Sequence, residues 1–186
     1  MKIEELLKGI HCSCGKHHRC DILHVAIERG AITLLTELCK NDDSILIVAD
    51  ENTYAAAGAQ TVEALKGKQI TSVIFSGKSI LIPNETAVEK VNSALTGVQK
   101  IIGIGSGVIQ DLCKYVSFKE NIPYYIVATA PSMDGYASAT SSMARDGVKV
   151  SLNSKCPDVI IGDIDIINFI NRCYAVLNYT HDARGF

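Results

Sequence analysis

The sequence predicts an α/β fold, a Rossmann-like doubly wound and mostly parallel sheet, on three observations. Residues 44–48, 101–104 and 124–128 are short apolar runs of the kind found in strands buried on both faces, and 69–75 reads as a further strand. Segments with apolar residues at helical spacing lie between them, so strand, helix and strand alternate along the chain. One strand runs directly into Gly103, Gly105, Ser106 and Gly107 and then a helix, the strand–turn–helix order of a phosphate cradle.

The chain has 186 residues, 47% of them apolar and 20% charged, enough for one well-buried core. A net charge of −2 gives no electrostatic basis for binding nucleic acid or an anionic membrane surface. No apolar run approaches the ~20 residues of a membrane span, so no membrane insertion is expected. The opening MKIEELLKGIHCSC lacks the basic region and apolar core of a secretion signal. Seven cysteines without framework spacing fit reduced thiols in a cytoplasmic protein.

Residues 1–20 form a lead-in rich in soft ligands: His11, Cys12, Cys14, His17, His18 and Cys20. Cys12, Cys14, His17 and Cys20 are candidates for a separate zinc site. A surface hairpin with no metal is the other reading, since the spacing matches no standard finger. Residues 21–27 alternate as an edge strand would, Gly30 ends it, and 31–38 follow as a helix with Ile32, Leu35 and Leu38 inward. The strand at 44–48 ends in Asp50, which can either accept ribose hydroxyls of a dinucleotide or cap the helix predicted over 53–65. After the strand at 69–75, Ser76-Gly77 closes it. Asn84 is placed to cap a helix with Val88, Val91 and Leu95 inward.

In the central stretch, Gly105, Ser106, Gly107, Val108 and Ile109 are expected to offer backbone N–H groups to a pyrophosphate. Asp111 either faces the reacting end of the cofactor or steadies the helix against its dipole. Lys114 and Lys119 read as solvated helix residues. The strand at 124–128 runs into Thr129-Ala-Pro-Ser-Met-Asp-Gly-Tyr-Ala-Ser138, a hydroxyl-rich loop at the carboxyl end of a strand, where open α/β sheets bind ligands. Ser/Thr turn chemistry and an Asp134-Gly135 turn account for the same residues. A small antiparallel addition is expected near 140–163, with a hairpin turn at Asp146-Gly147.

The motifs Ile104-Gly-Ser-Gly107 with Asp111, and Thr129 to Ser138, resemble those of the sn-glycerol-1-phosphate dehydrogenases. These belong to the superfamily of glycerol dehydrogenase, iron-dependent alcohol dehydrogenases and dehydroquinate synthase. Cys12-Ser-Cys14-Gly-Lys-His17 is similar to the opening of the bacterial members. The resemblance runs from about Cys12 to about Ile167 and implies an NAD(P)-binding domain over 21–167. It implies reversible hydride transfer between NAD(P)H and dihydroxyacetone phosphate, giving sn-glycerol 1-phosphate, with a divalent metal (zinc or nickel) activating the carbonyl. It assigns Asp134 to the substrate hydroxyls, Asp50 to the ribose with NAD preferred over NADP, and Thr129, Ala130, Pro131, Ser132 and Ser138 to the cofactor. A homo-oligomer is compatible with this reading.

The resemblance stops in the tail at 168–186. Asp182, beside His181, falls near the spacing of a metal-binding aspartate, but its neighbours differ and two distal ligand histidines are missing. The expectation is therefore a cofactor-binding half whose helical catalytic domain is absent, or else a non-catalytic nucleotide- or partner-binding module.

Overall fold

The structure, a computed structural model, describes residues 3–131 and 135–168. A short helix α1 (Ile3–Leu7) precedes a hairpin of two-residue strands, β1 (Ile10–His11) and β2 (His17–His18). The edge strand β3 (His24–Glu28) follows. Ala31–Leu34 then forms a 3₁₀ turn that continues into α2 (Leu35–Leu38). Next come β4 (Ser44–Asp50), α3 (Glu51–Ala64), β5 (Gln69–Phe75), α4 (Glu85–Asn92), β6 (Lys100–Gly105), α5 (Gly107–Glu120) and β7 (Tyr124–Ala128). The hairpin strands β8 (Thr140–Arg145) and β9 (Val148–Asn153) precede β10 (Val159–Asp163).

The main sheet has six strands in the order β3-β10-β7-β6-β4-β5, and every neighbouring pair is parallel. Side-chain alternation divides the core into two layers. Ile45, Ile47, Ile102, Ile104 and Val127 pack on one face against Ala57 and Leu65 and against Ile32 and Leu35. Leu46, Val48, Ile101 and Ile126 pack on the other face against Ala87 and Val91 of α4 and Ile109, Leu112 and Val116 of α5. The inner strands β4, β6, β7 and β10 are buried on both faces, which is why they read as apolar runs, whereas the edge strands β3 and β5 are partly exposed.

The antiparallel addition is confined to β8 and β9. Asp146 and Gly147 both have positive φ, 51° and 76°, as a two-residue primed turn demands. β10 does not extend this hairpin. It inserts between β3 and β7 in the parallel sheet.

Candidate functional site

The chain places β5 on one side of β4 and then returns to place β6 on the other. At such a switch point the loops leaving the strand ends diverge and open a crevice. A cleft of about 470 Å³ lies there, lined by Asp50, Asn52 and Thr53, by residues 76–81, and by Ser106, Val108 and Ile109.

The three helices around it start differently. Asp50 caps α3: its Oδ1 accepts from the N–H groups of Asn52 (2.8 Å) and Thr53 (2.9 Å), and the Thr53 hydroxyl accepts from the Asp50 N–H at 3.1 Å. Asn84 caps α4 by accepting from Ala87 N–H at 3.0 Å. Ser106, the extended N-cap of α5, makes no side-chain cap. The first N–H groups of a helix have no intrahelical acceptor, and they lie at the positive end of its dipole. Those of α5 therefore begin on the cleft without a side-chain acceptor.

Gly105 serves this turn by packing. A Cβ there would stand 2.7 Å from Cβ of Ile109, and one on Gly103 would stand 3.2 Å from Sγ of Cys113 on α5. Both glycines let α5 lie close on β6.

A second cleft of about 510 Å³ shares Ile80, Leu81 and Val108 with the first and adds Gly107, Asp111 and residues 142–144 of β8. Asp111 thus stands on its wall, 3.3 Å from Nζ of Lys114.

Lys114 is not a solvated residue. It is fully buried, and its ammonium donates to the carbonyls of Thr140 (2.6 Å), Gly135 (3.2 Å) and Ser138 (3.3 Å). Segment 135–145 covers the side of α5 that helical spacing alone leaves to solvent. Gln110, one turn earlier on the same side, donates to Gly135 O at 2.8 Å. Lys119 is exposed, as expected.

Around the loop after β7, Thr129 is buried and its N–H donates to Gly105 O at 3.1 Å. The Tyr136 hydroxyl donates to Ala130 O at 2.8 Å, and burial pushes this phenol up to about 12, so it stays a donor at neutral pH. The Ser138 hydroxyl pairs with that of Thr140 at 2.9 Å. Thr129, Ala130, Pro131 and Ser138 do not line the 470 Å³ cleft. Ser132 and Asp134 lie outside the described residues, as do His181 and Asp182.

Sequence reasoning missed the β5–α4 loop. The Glu51 carboxylate accepts from Gly77 N–H at 3.0 Å and the Asn52 amide donates to Gly77 O at 3.2 Å, fixing Ser76-Gly77-Lys78-Ser79 as a wall. Its signal was position: a polar loop at the carboxyl end of a strand beside the switch point.

The cysteine–histidine cluster also differs from expectation. Cys12, Cys14 and His18 place their ligand atoms within 4.8 Å of one another. His17 lies against His11 instead, with ring centroids 4.5 Å apart, and Cys20 packs against the core.

The class these features define is a doubly wound α/β domain with a ligand crevice at its switch point. Residues 26–169 match the family described as iron-containing alcohol dehydrogenase, and the chain belongs to that family. It is 31% identical over 164 residues to a glycerol-1-phosphate dehydrogenase (NAD(P)+) of Halalkalibacterium halodurans, covering 84% of this chain and 41% of that protein. Another, from Thermoplasma volcanium, is 31% identical over 124 residues, covering 66% and 35%. The chain spans about two fifths of the length of these relatives. Among solved structures, a glycerol dehydrogenase from Schizosaccharomyces pombe superposes with a TM-score of 0.66 at 24% identity, covering 78% of this chain and 38% of that one. An iron-containing alcohol dehydrogenase from Thermococcus thioreducens gives 0.69 at 16% identity, covering 80% and 47%. These likenesses place the fold. No helix among the described residues is long and apolar enough to cross a membrane.

Proposed function

We propose that the chain carries the NAD(P)-binding part of a glycerol-1-phosphate dehydrogenase, which interconverts dihydroxyacetone phosphate and sn-glycerol 1-phosphate by hydride transfer. The observation that carries this reading is the uncapped start of α5 on the same cleft as Asp50. Backbone N–H groups of Gly107, Val108 and Ile109 would hold the pyrophosphate, favoured by the helix dipole. Asp50 would accept ribose hydroxyls while its charge disfavours a 2′-phosphate, so NAD is preferred. The nicotinamide supplies the hydride chemistry when bound, and the protein supplies its orientation.

The loop after β7 would bring Ser132 to the cofactor and Asp134 to the substrate hydroxyls, which rests on the family resemblance. Lys114 and Gln110 support this by anchoring the loop's far end through Gly135 O. The family's divalent metal does not fit the described residues. Among the described residues, the two clefts carry only Asp50 and Asp111 as carboxylates and no histidine, so no step is routed through a metal here. The setting is cytoplasmic, where the thiols stay reduced.

The test is fluorescence titration of the chain with NADH. Gly107→Val crowds the phosphate cradle and is expected to weaken binding at least about tenfold, or ~1.4 kcal/mol, with the far-UV spectrum unchanged. Unchanged affinity would sink the proposal. Dihydroxyacetone phosphate added with Zn²⁺ or Ni²⁺ then separates two forms of it. Oxidation of NADH means the chain is itself catalytic, and binding without oxidation means it acts as a nucleotide-binding module.

A further inference from the structure

We propose that Cys12, Cys14 and His18 form a binding site for a soft divalent ion of the zinc class, outside the crevice and built from residues that the hydride-transfer reading does not use.

The strand pairing assembles the site. In the β1–β2 ladder His11 stands opposite His17 and Ile10 opposite His18. Side chains alternate faces along each strand, so His11 and His17 share one face. Cys12 and His18 share the other. The Cys12 N–H continues the ladder by donating to Lys16 O at 2.9 Å. The Gly15 N–H donates to Cys12 O at 3.0 Å, and Gly15 takes the left-handed conformation, with φ of 82°. This turn folds Cys14 back over Cys12 and aims its N–H at the Cys12 sulfur, 3.5 Å away. The Cys14 sulfur lies 3.1 Å from Nε2 of His18.

A tetrahedral zinc ion, with Zn–S of ~2.3 Å and Zn–N of ~2.0 Å, sets its ligand atoms roughly 3.5 Å apart. The cluster, all within 4.8 Å, meets that spacing with small adjustments. Two thiols and an imidazole select zinc-like ions over magnesium or calcium. Three protein ligands leave the fourth tetrahedral position to solvent or an added ligand.

The hairpin itself supplies a second argument. Its strands are two residues each and all four are exposed. A two-stranded ribbon without a buried face is marginal in water. A bound ion gives this turn the free energy that burial does not.

The experiment titrates the reduced, chelator-treated chain with Co²⁺ and follows the thiolate-to-cobalt charge-transfer absorption, then displaces the cobalt with Zn²⁺. One equivalent is expected to develop the band. Cys14→Ser is expected to abolish it, and His18→Ala to weaken binding by at least ~10-fold. His17→Ala and Cys20→Ser are expected to leave it unchanged. The substitutions fall on exposed or half-buried positions away from the crevice, so NADH binding serves as the check that the domain is intact. Absence of the band, its survival in Cys14→Ser, or equal loss in His17→Ala and His18→Ala would overturn the assignment.

Discussion

Asp50 holds two positions at once, and the sequence exposed both without ranking them. Its carboxylate caps α3 in a reciprocal capping box, and it lines the switch-point cleft. The two roles separate by substitution, because asparagine caps nearly as well as aspartate but carries no charge. Asp50→Asn is expected to keep stability within a few tenths of a kcal/mol while narrowing the preference for NAD over NADP. Asp50→Ala is expected to cost ~1 kcal/mol as well, from the lost cap. Chemical unfolding and paired titrations with NADH and NADPH measure the two effects. An unaltered cofactor preference in Asp50→Asn would leave the residue with its capping role alone. Asp50 was legible because a carboxylate at a strand tip before a helix is a local pattern. The pairing of His18 with Cys12 and Cys14 was hidden because density of ligands along the chain says nothing about which face of a hairpin each occupies.

At the level of elements, α5 was read correctly on its inward face and wrongly on its flank. Ile109, Leu112 and Val116 follow helical spacing and are buried as that spacing requires. Lys114 lies on a side that becomes interior only when residues 135–145 fold over it, a long-range event that no local period encodes. Its ammonium satisfies three carbonyls and faces Asp111, whose side chain is only 14% exposed. Removing the cation would strand that carboxylate and those carbonyls, and breaking one side of a buried pair is costly. Lys114→Met is expected to lower stability by about 3 kcal/mol, read from the urea midpoint, with faster amide exchange across 135–140. Adding Asp111→Asn should recover part of the loss, because the stranded charge is gone. A change within ~0.5 kcal/mol, typical of surface positions, would show that the contacts carry little net energy.

For the whole molecule, the apolar runs and the helices between them were sufficient to set a parallel, doubly wound sheet, because burial on both faces leaves a local trace in the inner strands. The place of β10 between β3 and β7 left no such trace, since it depends on pairing across more than a hundred residues. Lys100 records the same kind of long-range closure at the opposite end of β6 from the crevice. It is buried, and its ammonium donates to Asp42 (2.6 Å), to the Tyr125 hydroxyl (2.8 Å) and to Leu38 O (3.4 Å), joining the α2–β4 connection to β6 and β7. Burial by itself pushes this ammonium's pKa down, but the hydrogen bonds it donates to Asp42 and Tyr125 outweigh it and hold the value above the ordinary 10.5. A lysine whose folded pKa is raised favours the native state fully below its unfolded value. That stabilisation is lost as pH climbs through the raised one. Lys100→Met is therefore expected to trail the unsubstituted chain by a constant margin from neutral pH up to about pH 10, near the free lysine value. The margin should shrink above it, since only the unsubstituted chain then has a proton to lose. Comparing the two chains by urea unfolding at each pH cancels the titration of the tyrosines that do not touch Lys100. A margin that stays level into the alkaline range would mean that the charge on Lys100 contributes nothing to holding these segments together.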